Sequence, residues 1–123
     1  MVHRYYEVSR SYPKAVVPTE LVTARQKDEW WEDFYNTHRG ILHRIRWHRV
    51  VLDEAQAIKN HRGHTSMACR ALSSNHNWAI TGTPIMNNVT ELYPYFKFLR
   101  EPNSGASFKI FKNKYCQPNT ARD

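Results

Sequence analysis

The chain has 123 residues and a formal net charge of +7 at pH 7, with 18 Lys and Arg against 11 Asp and Glu. This length fits one small domain or part of a larger one and excludes two complete catalytic domains. Hydrophobic residues make up 41% of the chain, which is enough for a packed core and excludes a disordered or collagen-like protein. The excess of positive charge favours an anionic partner such as nucleic acid.

Two features of the sequence bear on where the protein acts. Cys69 and Cys116 lie far apart without a Cys-x-x-Cys pair, which favours a reducing compartment over a disulfide framework or a zinc ribbon. The first residues contain no apolar signal segment, and no apolar run approaches the roughly 20 residues that cross a bilayer. The sequence therefore predicts a protein that is neither secreted nor membrane-spanning.

The first third of the chain predicts a short strand and one helix. Residues 15–17 and 20–22 are rich in β-branched residues and are separated by Pro18, which indicates a strand that ends or bulges there. Residues 24–37 have a helical pattern, and Thr23 is placed to cap it. Four aromatic residues form one stripe of this helix, which favours core packing over a platform for stacking bases: Trp30, Trp31, Phe34 and Tyr35.

The following segments alternate between strands and helices. Residues 47–53 are an apolar run typical of a strand buried on both faces of a parallel sheet. A helix over 65–72, a strand over 78–81, a turn at 82–84 and a helix over 89–99 follow, and Pro94 predicts a kink unless Thr90 is the cap. Residues 101–105 are typical of a turn, and residues 108–114 of an amphipathic helix that packs on the domain. This order predicts an α/β fold with two parallel strands and a right-handed crossover.

An acidic pair stands out in an otherwise basic region, because Asp53 and Glu54 directly follow the most apolar predicted strand. Ligands of open parallel sheets bind beyond the carboxyl ends of the strands. Nucleotide hydrolysis needs one carboxylate there for Mg²⁺, a role for Asp53, and one that orients or deprotonates water, a role for Glu54. The alternative is that the two acids only satisfy backbone N–H groups and the dipole at a helix start.

A second polar loop is expected at the same edge of the sheet. Thr81 and Gly82 follow the second predicted strand and lead into Thr83 and Pro84. Thr83 as a helix cap and Pro84 as the first helical residue would make this an ordinary helix start. Two separate helix starts do not explain why both polar loops converge, so the pair of loops favours a nucleotide site.

Two further clusters have weaker implications. Residues 38–49 are rich in Arg and His and either contact phosphates or form a solvated face with Ile45 and Trp47 turned inward. His61, His64 and Cys69 lack a fourth ligand at zinc-like spacing, so the sequence does not favour a metal centre there.

Two of these segments carry a specific resemblance. Residues 50–60 read Val-Val-Leu-Asp-Glu-Ala-Gln-Ala-Ile-Lys-Asn, and residues 78–88 read Trp-Ala-Ile-Thr-Gly-Thr-Pro-Ile-Met-Asn-Asn. With residues 91–93 they resemble motifs II and III of the Swi/Snf-type ATPases, superfamily-two DNA translocases with two RecA-like lobes. Residues 42–49 and 96–100 are similar to the fungal, repair-linked, RING-containing branch. The resemblance is strongest over residues 41–116, and it implies that residues 1–123 are the C-terminal part of the ATP-binding first lobe, without a second lobe.

The resemblance also implies roles for individual residues. Asp53 would associate with Mg²⁺ through water, and Glu54 would be the general base of a motif II with the sequence Asp-Glu-Ala-Gln, a DEAQ box. The residues implied to couple the nucleotide to DNA movement are Gln56, Thr81, Gly82, Thr83, Pro84 and Asn87. Gln56 stands where most members have His, and Met86 replaces the usual Gln, which removes a polar group from the coupling loop.

The resemblance further implies cofactors and partners for the complete enzyme. The cofactors are ATP and Mg²⁺, the partners are double-stranded DNA or a nucleosome together with the remaining lobe segments, and the location is the nucleus. The implied function is ATP-dependent DNA translocation in chromatin remodelling or DNA repair.

One element of an ATP site is not found in the 123 residues. A P-loop has the pattern G-x-x-x-x-G-K-[ST], whereas none of the four glycines is followed by Lys. We therefore expect a partial RecA-like parallel sheet with flanking helices that lacks the P-loop portion, and a chain that alone neither binds nor hydrolyses ATP. The alternative function is a non-catalytic remnant that binds DNA or a protein partner. A P-loop encoded in frame upstream of Met1 would distinguish the two.

Overall fold

The computed structural model describes residues 1–82, 89–100 and 108–115. Six α-helices, two strands and two short 3-10 helices occupy these ranges. In chain order they are α1 (Tyr5–Ser11), α2 (Ala24–His38), α3 (Ile41–Arg44), β1 (Trp47–Leu52), a first 3-10 helix (Ala55–Ile58), α4 (His64–Arg70), β2 (Ser74–Ala79), a second 3-10 helix (Val89–Leu92), α5 (Tyr93–Leu99) and α6 (Phe108–Tyr115).

The two strands form a parallel sheet and are joined through α4. Trp47 lies opposite Ser74, and Leu52 lies opposite Ala79. This arrangement confirms the predicted α/β class with parallel strands. The second strand begins at Ser74, four residues earlier than predicted. Residues 74–77 are polar, so their sequence does not indicate a strand, but their backbone pairs with β1. Burial of β1 on both faces was wrong: Val51 is 48% exposed, and β2 is its one partner strand in the described ranges.

The hydrophobic core lies between the sheet and helices α1, α4 and α5. Its fully enclosed members come from α4, α5 and the first 3-10 helix, and Leu52 at the end of β1 joins them. Helix α4 packs against both α1 and α5. The core therefore ends directly beneath the carboxyl edge of the sheet, where β1 leads into the acidic pair.

The predicted N-terminal strand is wrong. Residues 12–22 contain no strand or helix, Val16 is 91% exposed, and the backbone turns where Leu21 N–H donates to Pro18 O at 3.3 Å. Pro18 cannot donate a ladder hydrogen bond, and the turn directly after it separates the two β-branched segments.

Helix α2 forms as predicted, but its aromatic stripe is not part of the core. Thr23 caps the helix by accepting from Gln26 N–H at 3.1 Å, and the Gln26 side chain accepts in return from Thr23 N–H. No residue of α2 is buried. Trp31 and Tyr35 pack against Tyr12, with ring centroids 5.7 Å apart in both pairs. The stripe is therefore a half-buried aromatic contact with the segment after α1.

The C-terminal helices differ from expectation at Pro94. The predicted helix over 89–99 is divided into the second 3-10 helix and α5, and Pro94 lies in the first turn of α5, where its missing N–H costs little. Helix α6 is confirmed, and its Phe111 is fully buried against Tyr93 and Phe96 at ring distances of 5.4 and 5.2 Å. The predicted turn at 101–105 lies outside the described residues.

Candidate functional site

The acidic pair lies at the carboxyl edge of the sheet, as predicted. Strand β1 ends at Leu52, and both Asp53 and Glu54 are exposed directly after it. Glu54 has a left-handed backbone, with φ 51° and ψ 50°, before the first 3-10 helix begins. A residue other than Gly in this region costs about 1–2 kcal/mol, so surrounding contacts have to hold it.

Backbone bonds tie the Asp53–Glu54 turn to the segment that follows β2. Ile80 N–H donates to Leu52 O at 2.8 Å, and Ala55 N–H donates to Ile80 O at 2.8 Å. Asp53 Oδ1 accepts from Glu54 N–H at 2.9 Å. The two polar loops are thus held side by side, because the parallel register carries both strands to the same edge.

Gln56 connects the two loops through its side chain. Its Nε2 donates to Glu54 Oε2, and its Oε1 accepts from the Thr81 hydroxyl at 2.8 Å. The structure therefore brings together four of the predicted site residues, Asp53, Glu54, Gln56 and Thr81. An amide suits this position since it can donate from one atom and accept at another.

Of the four other predicted site residues, the structure describes one, Gly82. Gly82 is exposed, and none of the described residues has an atom within 4 Å of the place where a Cβ would stand. Thr83, Pro84 and Asn87 lie outside the described residues, as does Met86. Their roles in coupling stay predictions.

Tyr5 is a site contact that the sequence did not reveal. Its hydroxyl donates to Asp53 O at 2.6 Å and lies 3.4 Å from Glu54 O. Burial is the main cause that raises the pKa of Tyr5, and the nearby Asp53 and Glu54 carboxylates add to it, so that its hydroxyl stays protonated. Forty-eight residues separate Tyr5 from Asp53, and no spacing rule within a single element reports such a contact.

The basic stretch at residues 38–49 is divided by the fold. Arg44, Arg46 and Arg49 are exposed, whereas His43 is 2% exposed. His43 Nε2 donates to Ala68 O at 2.7 Å, so its Nδ1 accepts from the Ser11 hydroxyl at 2.7 Å. This histidine is a neutral core residue. Trp47 is half-buried, but Ile45 is 37% exposed and is not turned inward as the solvated-face alternative predicts. Neither a solvated role of the exposed arginines nor their contact with phosphates is tested, and both stay predictions.

The described ranges contain neither a metal-binding cluster nor a membrane-spanning helix. No group of three or more His, Cys, Asp or Glu side chains there is placed to hold a metal ion. None of the helices in those ranges has both the length and the apolar character to cross a membrane.

Comparison with known proteins decides the family. Residues 11–123 match the family model described as the SNF2-related domain. The chain belongs to this family. The resemblance inferred from motifs II and III is thereby confirmed.

Relatives of this SNF2-related chain include DNA-repair proteins and a solved ATPase core. It is 51% identical over 61 residues to the helicase-like transcription factor CHR28 of Arabidopsis thaliana, covering 50% of this chain and 6% of that protein. It is 44% identical over 90 residues to the DNA repair protein RAD5 of Mycosarcoma maydis, covering 71% of this chain and 6% of that protein. The structure of the Sulfolobus solfataricus SWI2/SNF2 ATPase core in complex with dsDNA matches with 38% identity and a TM-score of 0.54, covering 67% of this chain and 17% of that one. The partial RecA-like fold is confirmed, and the chain spans a small fraction of the relatives it matches.

Proposed function

We propose that this SNF2-related chain supplies the motif II carboxylates of a DNA-stimulated, Mg²⁺-dependent ATPase that acts on double-stranded DNA or nucleosomes in the nucleus. Membership of the family and the name of the matching ATPase core support ATP hydrolysis. The names of relatives support a role in DNA repair, and the dsDNA in that core's complex supports the partner. The observation that carries the proposal is the pair of hydrogen bonds from Gln56 to Glu54 and to Thr81, because it joins the carboxylate of the proposed general base to the loop after β2.

Glu54 is the group that would activate water. Its carboxylate is exposed at the sheet edge, and Gln56 holds one oxygen, Oε2, by donating a hydrogen bond. A carboxylate fixed at one oxygen can orient a water and accept its proton at the other. Positioned general bases of this kind contribute about 10² to 10⁴-fold to rate.

Asp53 fits an indirect contact with Mg²⁺. Its Oδ1 accepts from Glu54 N–H at 2.9 Å, which orients the carboxylate, and the side chain is exposed. Hard oxygen ligands suit Mg²⁺, which keeps several waters and commonly uses only one or two carboxylates. The ion would neutralise charge on the phosphates. Asp53 would orient one of its waters.

Gln56 would couple the loop that follows β2 to the Glu54 carboxylate. Thr81 begins the segment that leads to residues 83–88, and its hydroxyl is bonded to the same amide that holds Glu54. A shift of this loop would therefore move Gln56 and with it the Glu54 carboxylate. The phosphate cradle would come from outside the 123 residues, since none of them form a G-x-x-x-x-G-K-[ST] pattern.

A chimera provides the test. Residues 1–123 would replace the matching segment of the Sulfolobus solfataricus ATPase core, and hydrolysis would be measured with and without double-stranded DNA. We expect Glu54→Gln to lower turnover by about 10² to 10⁴-fold while calorimetry shows Mg·ATP binding unchanged, because the amide keeps the shape of the side chain but cannot take the proton. The exposed Glu20, changed to Gln in the same way, is the control and should have normal turnover.

The outcomes separate the two functional classes. Unchanged turnover in the Glu54→Gln chimera would remove Glu54 from the mechanism. A wild-type chimera that binds DNA without hydrolysing ATP would favour the non-catalytic binding function instead.

A further inference from the structure

Tyr5 reaches the site from a helix that the core holds in place. It lies at the start of α1, the helix that carries the buried core residue Val8 and packs against α3 and α4. Its ring is half-buried, and its hydroxyl lies 2.6 Å from Asp53 O. The hydroxyl is therefore fixed by packing.

The peptide unit between Asp53 and Glu54 is the part of the site that most needs such a contact. The orientation of this peptide plane determines φ of Glu54, which is 51° in a region that side chains rarely adopt. A hydrogen bond to the carbonyl of this peptide resists its rotation. The 3.4 Å approach of the same hydroxyl to Glu54 O adds a second contact on the following peptide.

The geometry points to Tyr5 as a positioning residue for hydrolysis, whose hydroxyl fixes the Asp53–Glu54 peptide and so keeps the Glu54 carboxylate at Gln56 and aimed at the attacking water. This inference rests on the proposed function of Glu54. Tyr5 acts through the backbone and has no contact with the reacting atoms in this role. Removing the hydroxyl would let the turn relax out of the left-handed conformation, and the carboxylate would move with it.

The protonation of Tyr5 fits this role. The ordinary pKa of a tyrosine phenol is about 10, so the hydroxyl is a donor at neutral pH. A phenolate could not donate to the Asp53 carbonyl oxygen. Tyr5→Phe should therefore lower activity equally across the neutral pH range.

The first experiment tests the contact in the chain itself. The amide N–H groups of Glu54 and Ala55 belong to the peptides whose carbonyls Tyr5 approaches, so their NMR shifts report on these bonds. We expect Tyr5→Phe in a ¹⁵N-labelled chain to shift both signals. Tyr6, which is 56% exposed, offers the same substitution as a control and should leave them in place. Unshifted signals in Tyr5→Phe would overturn the inference.

The second experiment tests the consequence for hydrolysis in the chimera. We expect Tyr5→Phe to lower kcat about 10-fold with KM for ATP unchanged, because a small misplacement of a reacting group affects the chemical step. An active chimera whose kcat is unchanged by Tyr5→Phe would overturn the inference and leave the proposed function standing. An equal loss in Tyr6→Phe, or a rise in KM that matches the loss of kcat, would indicate a general structural role and would also overturn it. A wild-type chimera that does not hydrolyse ATP would instead overturn the proposed function, and the role of Tyr5 in hydrolysis with it.

Discussion

The bridge made by Gln56 can be measured directly by a double-mutant cycle on the chain. Gln56→Ala removes both bonds of the amide, and Thr81→Val removes the hydroxyl while keeping the shape of the side chain. The bond between the half-buried Thr81 and Gln56 should contribute about 1 kcal/mol to the free energy of unfolding. The bond to Glu54 should contribute about 0.5 kcal/mol, because that carboxylate is exposed and water and salt screen it.

Urea unfolding of the four proteins in the cycle gives the coupling energy. With a slope of about 1.5 kcal/mol per M of urea, Gln56→Ala should lower the midpoint by about 1 M. The loss caused by Thr81→Val should be about 1 kcal/mol smaller in the Gln56→Ala background than in the wild type, and this difference is the coupling energy. Thr37→Val is the control, since the Thr37 hydroxyl bonds Asp33 O within the distant helix α2 and should not couple to Gln56. Additive losses for Gln56 and Thr81 would refute the bridge.

Two further predictions concern the support beneath the site. Burial lowers the pKa of His43 below its unfolded value of about 6.5, so its contribution to stability is complete above that pH and is lost as the pH falls towards the folded pKa. Urea unfolding between about pH 7 and pH 5 should show this loss. The free energy of unfolding should depend less steeply on pH in His43→Leu than in the wild type, and the exposed-site control His76→Gln should follow the wild type. Gly40→Ala should lower the free energy of unfolding by about 1–3 kcal/mol, because its Cβ would lie 2.7 Å from Ser11 Oγ and 2.9 Å from Ser11 Cα. At Gly82 a Cβ would contact none of the described residues, so Gly82→Ala should unfold like the wild type. Equal midpoints for the two variants would contradict the contact between α1 and the start of α3.

The part of the site that could be predicted is the part that two local signals determine. An apolar run followed by two acids located the end of β1, and the parallel pairing of consecutive strands placed Thr81 at the same edge as Asp53. The start of β2 could not be found in the same way. Residues 74–77 have neither alternation nor β-branched side chains, and they are extended because their backbone groups pair with β1.

Tertiary contacts decided the features that the sequence concealed. His43 belongs to a basic stretch that looks solvated, yet inside the core the Ser11 hydroxyl donates to its Nδ1 and the Ala68 carbonyl accepts from its Nε2. Tyr5 has no local partner that would distinguish it from Tyr6, and only the packing of α1 turns one hydroxyl towards the acidic pair. The left-handed backbone of Glu54 is likewise invisible in its residue type, because Glu is not favoured there.

The identity of residue 56 follows from the bonds that it makes. The site needs a group that donates towards the Glu54 carboxylate and accepts from the Thr81 hydroxyl at the same time. A neutral imidazole can do both, which agrees with the His found in most Swi/Snf members, but a protonated one has only donors and would break the bond from Thr81. The Gln amide does not titrate, so it keeps both bonds at every physiological pH. Gln56 therefore preserves the link between the two loops and removes the dependence on pH that His would bring to it.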